Sequence, residues 1–264
     1  MPSSRGCDTE PITDQDLRLS KGDPLAQELA EAIRAGSVET LAVLLREHPG
    51  LASARLFDGN GGFGTPLHAA TSWPGYFPNG PAIVTALIDA GGDPNVAVEG
   101  SWHAETPLHW AASSDDVEVA RALIDGGADL EVPGASIGGG TPLDNAIGYG
   151  CWQVARLLVE RGARVEGLGD AAALGMFSRV DELRAASPPS LQELTDALWA
   201  ACHGGQRRMA EYLLSLGAEL NGTPSWCDSG STPLDAADSL DTGREALVTW
   251  LRELGAEKSS KSAP

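Results

Sequence analysis

The side chains that could do chemistry in this chain are few and scattered. Five histidines and four cysteines stand among 37 carboxylates and seven tryptophans. His103, Glu105, Asp144 and His203 are titratable groups that could move protons inside a hydrophobic pocket. No Ser-His-Asp or Cys-His arrangement follows from their spacing. Cys7, Cys151, Cys202 and Cys227 lie far apart, without C-x-x-C pairs or metal-ligand spacing, as reduced thiols of a cytoplasmic protein would. The run Gly138-Gly139-Gly140-Thr141 lacks the G-K-[ST] of a phosphate loop. Asp58 to Gly64 holds too few acidic ligands for a calcium loop. Neither a metal nor a cofactor is expected.

The aromatic residues form a second set. Trp73, Tyr76 and Phe77 share the Pro/Gly-rich run from Ser72 to Gly80. Trp102 precedes His103, Trp110 and Trp199 each precede an Ala-Ala pair, Tyr149 and Trp152 flank Gly150-Cys151, and Trp226 sits in a turn-rich segment. Two readings stand side by side. Tryptophan and tyrosine anchor many interfaces, and they also fill gaps between irregular packed elements. Trp250, on the apolar face of a helical run, belongs to the second reading.

The elements that must position these side chains repeat. Thr106-Pro107-Leu108-His109-Trp110-Ala111-Ala112 reads as an N-cap, a proline at the first helical position and a small apolar face. Val117 to Ile124 gives a second amphipathic run, and Gly127 a left-handed stop. The same plan recurs at Thr65-Pro66-Leu67-His68, Thr141-Pro142-Leu143-Asp144 and Thr232-Pro233-Leu234-Asp235. It recurs in weaker form near 24, 166 and 195. The pattern resembles the ankyrin repeat, whose signature is T-P-L-H-x-A in a period near 33 residues. The resemblance implies an all-α ankyrin-repeat solenoid of about seven units over residues 23–257, starting near 24, 65, 106, 141, 166, 195 and 232. Residues 1–22 would be a loose lead-in and 258–264 a tail.

The resemblance also sorts the candidates. It makes His68 and His109 structural, with Asp235 filling the same slot; Asp144 fills it too, while remaining a candidate acid. It places first helices and hairpin fingers on a concave, partner-binding side, where Trp73, Tyr76, Phe77, Trp102, His103, Trp110, Tyr149, Trp152, Trp199 and His203 would line a groove. The second unit departs from the period by about eight residues, most of them in the Ser72–Gly80 insertion. The fifth has almost no room for a finger.

Formal charge is −19. Such a field repels phosphates and anionic lipid, so neither nucleic acid nor membrane is expected as a partner. The expectation is a monomeric binding module that takes a basic or hydrophobic protein segment in an acidic, Trp-rich groove. The alternative is a hydrophobic small molecule, bound or transformed in an aromatic pocket near the insertion.

Overall fold

Pro66, Pro107, Pro142 and Pro233 each open a short helix, where a missing N–H leaves no hydrogen bond unmade. The computed structural model describes residues 17–57, 62–100, 103–227, 230–239 and 244–259. Trp102, Asp58 to Gly61 and Cys7 lie outside them. Among the described residues fourteen α-helices make seven antiparallel pairs. The first three pairs are α1 (Pro24–Ala35) with α2 (Val38–Glu47), α3 (Pro66–Thr71) with α4 (Gly80–Asp89), and α5 (Pro107–Ser113) with α6 (Val117–Asp125). The fourth and fifth are α7 (Pro142–Gly148) with α8 (Trp152–Glu160), and α9 (Leu168–Ala173) with α10 (Phe177–Ala186). The last two are α11 (Leu191–His203) with α12 (Arg207–Ser215), and α13 (Pro233–Asp238) with α14 (Glu245–Glu253).

The chain divides into two units, Met1–Ala111 with Glu118–Asp129, and Ala112–Val117 with Leu130–Pro264. In the first, Leu29, Ile33, Leu41, Leu67, Ile83, Leu87, Leu108 and Leu123 are fully buried. A small sheet closes one end. β1 (Arg18–Ser20) runs parallel to β2 (Arg55–Phe57), which pairs antiparallel with β3 (Phe63–Gly64). β1 lies within residues 1–22, where the sequence suggests a loose lead-in. Leu19, opposite Leu56, is buried between exposed Arg18 and Ser20. Three residues are too few for an alternation to register in sequence, and the pairing is non-local. The turn after α1 must be glycine. Gly36 is left-handed at φ 63°, and a Cβ there would collide with the carbonyl of Pro78.

In the second unit the core is Val154, Leu158, Val180, Leu198, Met209, Leu213 and Leu251, interleaved with alanines. The fifth pair lacks a finger yet stays packed. Ala171, Ala172 and Ala173 are wholly buried, and a Cβ on Gly204 of the α11–α12 turn would overlap the Ala173 carbonyl. Helix α11 starts earlier than the Thr195 register suggests. Ser190 caps it at Leu191, with the Ser190 N–H donating to Glu193 Oε2 at 2.7 Å and the Glu193 N–H returning to Ser190 Oγ at 3.2 Å. Thr195 lies inside the helix, its hydroxyl bonded to the Leu191 carbonyl. The box stands directly after Pro188-Pro189, and the stronger cap wins.

The backbone contact between Gly204 and Ala173 is testable. Gly204→Ala, at an ordinary φ, should destabilise the chain by about 1–3 kcal/mol through overpacking alone. A denaturant midpoint indistinguishable from wild type would show that α9 and α11 do not approach at this distance.

Candidate functional site

Four helix starts share one device. The Thr65 N–H donates to His68 Nδ1 at 3.1 Å with Thr65 Oγ1 at 2.9 Å, and Thr106 and His109 repeat both distances. Thr141 donates its N–H and hydroxyl to Asp144 Oδ2 at 2.5 and 2.8 Å, and Thr232 to Asp235 Oδ2 at 2.9 and 3.1 Å. The N–H of Ser259 also reaches Asp235. An acceptor three residues past the threonine ties the helix start to itself. With Nδ1 accepting, His68 donates its Nε2–H to the Glu105 carbonyl at 3.1 Å, in the next finger. Burial, the largest influence, lowers His68 to a pKa of about 4. It is neutral and fully engaged, hence no general base.

In the first unit the insertion is pinned at both ends. Ser72 Oγ donates to the Ala69 carbonyl, Gly75 N–H closes a turn on Ser72, and Asn79 Nδ2 donates to the Gly36 carbonyl at 2.9 Å. Between these ties the side chains point outward: Trp73 is 84% exposed and Tyr76 62%. Phe77 is half-buried. Trp110 packs edge-on against His68 at 5.0 Å and donates its Nε1–H to Glu105 Oε2 at 3.0 Å. Glu105 therefore orients an indole, and exposed His103 lies two residues before it.

The second unit gathers a separate aromatic cluster. Trp199 stacks on His203 at 5.1 Å and 20°, Trp152 meets the same imidazole edge-on at 5.3 Å, and Trp226 stands perpendicular to Trp199 at 6.0 Å. Arg244 lies 5.9 Å over Trp152 and donates Nη1 to the carbonyls of Cys202 and His203. His203 is 6% exposed, and its Nε2–H donates to the Ile147 carbonyl at 2.9 Å. Burial, then the bond to Ile147 in the opposite sense, leaves its pKa below the ordinary histidine value. Tyr149 is half-exposed, its hydroxyl 3.1 Å from Ser136 Oγ.

The four sequence candidates for acid–base work are divided between the two units. His103 and Glu105 belong to the first unit, Asp144 and His203 to the second. Within the second, Asp144 caps its own helix beside Asp170, whereas His203 is wedged among indoles. The insertion also belongs to the first unit, and Tyr149 and Trp152 to the second. Burial pushes the thiols of Cys151 and Cys202 up to about 11 and about 12, far from the reactive range. Trp226 and Arg244 stand outside the groove residues expected from the sequence. No local pattern marks Arg244, because only the fold carries it back over α11. Among the described residues no cluster of His, Cys, Asp or Glu could hold a metal, and no helix is long and apolar enough to cross a membrane.

With the helix pairs, capped starts and glycine stops established, the class is that of stacked helical-repeat proteins. Residues 76–167 match the family model for ankyrin repeats, in three copies. The ankyrin repeat domain of human ASB11 is similar over 84% of this chain and 96% of its own, at 20% identity and a TM-score of 0.50. That of Bcl-3, a member of the IkappaB protein family, is similar over 85% and 97%, at 23% identity and a TM-score of 0.49. No curated protein matches the sequence. Residues 76–167 thus match ankyrin repeats, and the chain as described has the all-α fold of stacked helix pairs.

Asp170 gives a pH test. It occupies the fifth pair's capping slot three residues after Gly167; burial, then the Asp144 charge, raises its pKa to about 6. The folded state therefore holds this proton more tightly than the unfolded chain does. The resulting stability is complete below about pH 4 and lost as pH rises through 6, costing at most about 3 kcal/mol at pH 7. Asp170→Asn should be more stable than wild type at pH 7 and should lose that advantage at pH 4 in urea titrations. An equal difference at both pH values would rule out a buried, proton-holding carboxyl.

Proposed function

We propose that this protein is a binding module for a basic or hydrophobic protein segment, working in the cytoplasm as a monomer. Ankyrin repeats are generally protein–protein interaction modules. The observation that carries the reading for this chain is the Ser72–Gly80 insertion. Its Trp73 is almost fully exposed and its Tyr76 largely so, on a backbone tied down at Ser72 and Asn79. Exposed large aromatics on a fixed scaffold are the usual anchors of an interface, since they bring contact area without ordering a loop. The charge of −19 supplies the second half of the argument. It draws in a basic segment and repels acidic competitors, giving rate and selectivity more than raw affinity. Exposed His103 belongs to the same unit and would extend the contact.

Affinity capture from lysate, followed by titration of the captured protein, tests this. Replacing both Trp73 and Tyr76 by alanine should weaken binding by about 2 kcal/mol or more, roughly 30-fold, while leaving the melting temperature nearly unchanged. Raising salt from about 50 to 300 mM should weaken it further, mainly through association rate. Capture that survives both aromatic replacements would remove the insertion from the interface.

A further inference from the structure

The second unit holds an arrangement that stacking does not require. Its indoles Trp152, Trp199 and Trp226 come from the fourth, sixth and seventh repeats, and all meet around or beside one imidazole. Ser225 fastens the Trp226 segment to α11, its N–H and hydroxyl donating to Asp196 at 2.9 and 2.7 Å. Trp199 is fixed by its Nε1–H on Ser231 Oγ at 3.1 Å. The walls are therefore held, while 58% of Trp226 faces solvent.

Two polar groups inside this cluster are incompletely used. His203 is 6% exposed, its Nε2–H is engaged by the Ile147 carbonyl, and its Nδ1 has no hydrogen-bond partner. With Nε2 protonated, Nδ1 is an acceptor that lacks a donor, and buried acceptors are nearly always paired. The second group is Arg244. Its Nη1 caps the α11 carbonyls of Cys202 and His203, which leaves further N–H donors of the guanidinium. In a chain with twice as many acidic as basic residues, no carboxylate pairs with it among the described residues. The nearby acid, Asp196, is occupied by Ser225 and Gln192 at the opposite, Trp226 end.

From this juxtaposition of three indoles, a cation without a carboxylate and an acceptor without a donor, we propose that the second unit binds a small planar aromatic carboxylic acid bearing an O–H or N–H. Its ring packs on the indole faces, its carboxylate takes the remaining donors of Arg244, and its own donor supplies the bond that His203 Nδ1 lacks. An anion entering so acidic a protein needs a local cation, and Arg244 is placed on the aromatic wall to be that cation. The site shares no residue with the insertion of the first unit, so each can fail alone.

Calorimetric titration of the full chain with 4-hydroxybenzoate and with indole-3-acetate, each beside its neutral carboxamide, tests the class; benzoate serves as the acid without a donor. At least one acid should bind with Kd below about 1 mM, and its carboxamide at least about tenfold more weakly. Benzoate should fall below 4-hydroxybenzoate. Arg244→Gln should reduce binding of the acid about tenfold or more and erase the preference over the carboxamide. Trp226→Ala, at an exposed position that leaves folding intact, should weaken acid and carboxamide alike. Trp73→Ala should change neither. The proposal is overturned if no acid binds, if carboxamides bind equally well, if a folded Arg244→Gln and Trp226→Ala both bind like wild type, or if only a peptide with a C-terminal tyrosine binds.

Discussion

No helix pair in this chain can cover its own apolar face, and the rest of the structure follows from that. A pair such as α11 and α12 buries Leu198, Ala201, Met209 and Leu213 only because α9 on one side and α13 on the other complete the surface. Close stacking demands small residues. Ala171 to Ala173 in α9, Ala197 and Ala201 in α11, and Ala236 and Ala237 in α13 are all essentially inaccessible. Side chains that meet a partner are consequently displaced to the ends of first helices and to the connecting segments, the positions that stacking leaves over.

The capping slot shows how one position serves two purposes. His68 satisfies Thr65 with one nitrogen and crosses to the Glu105 carbonyl with the other, joining consecutive repeats. An aspartate satisfies the threonine equally well but is acceptor-only when ionised, so it cannot donate to a neighbouring carbonyl. Asp144, Asp170 and Asp235 therefore keep the helix starts without that tie. The second unit holds its repeats together by other means. Backbone runs against backbone at Gly204 and Ala173, and His203 reaches the Ile147 carbonyl across the fifth repeat.

Much of this was legible in the sequence because it is local. Thr-Pro-Leu-His/Asp fixes a cap and a helix start within four residues, and Gly127, Gly162, Gly217 and Gly255 mark helix ends through their positive φ. The structural reading of His68, His109 and Asp235 came from the family resemblance that this short motif carries, and the insertion showed as a break in the period. What failed to show was non-local: the strand Arg18–Ser20, whose partner lies beyond two helices, and the earlier start of α11, set by a Ser190 box in competition with the Thr195 register. The candidate site divides the same way. Trp73 and Tyr76 stand out as aromatics in a Pro/Gly run. The grouping of Trp152, Trp199, Trp226 and Arg244 around His203 depends on which repeats are neighbours and on how short the fifth one is.

One register position links the two surfaces. Eight residues past Thr65, Thr106, Thr141 and Thr195 stand Trp73, Ser114, Tyr149 and His203. This position closes the first helix, just outside the face that must be small, so its side chain is free to vary in size and chemistry. Trp73 is 84% exposed, Tyr149 49%, and His203 6%. The backbone plan is the same in each case; the difference lies in the surroundings. Beyond Trp73 the insertion carries the chain away and leaves the indole in solvent. At His203 the finger-less fifth repeat brings the fourth within reach, and Trp152 and Trp199 enclose the ring. A leucine there would satisfy stacking, as Leu198 does in the histidine slot of the same helix. An imidazole with an unmatched acceptor is a poorer core residue than leucine. Its Nε2–H ties the sixth repeat to the fourth through the Ile147 carbonyl, and its unmatched Nδ1 is the acceptor that the ligand proposed for this unit would use.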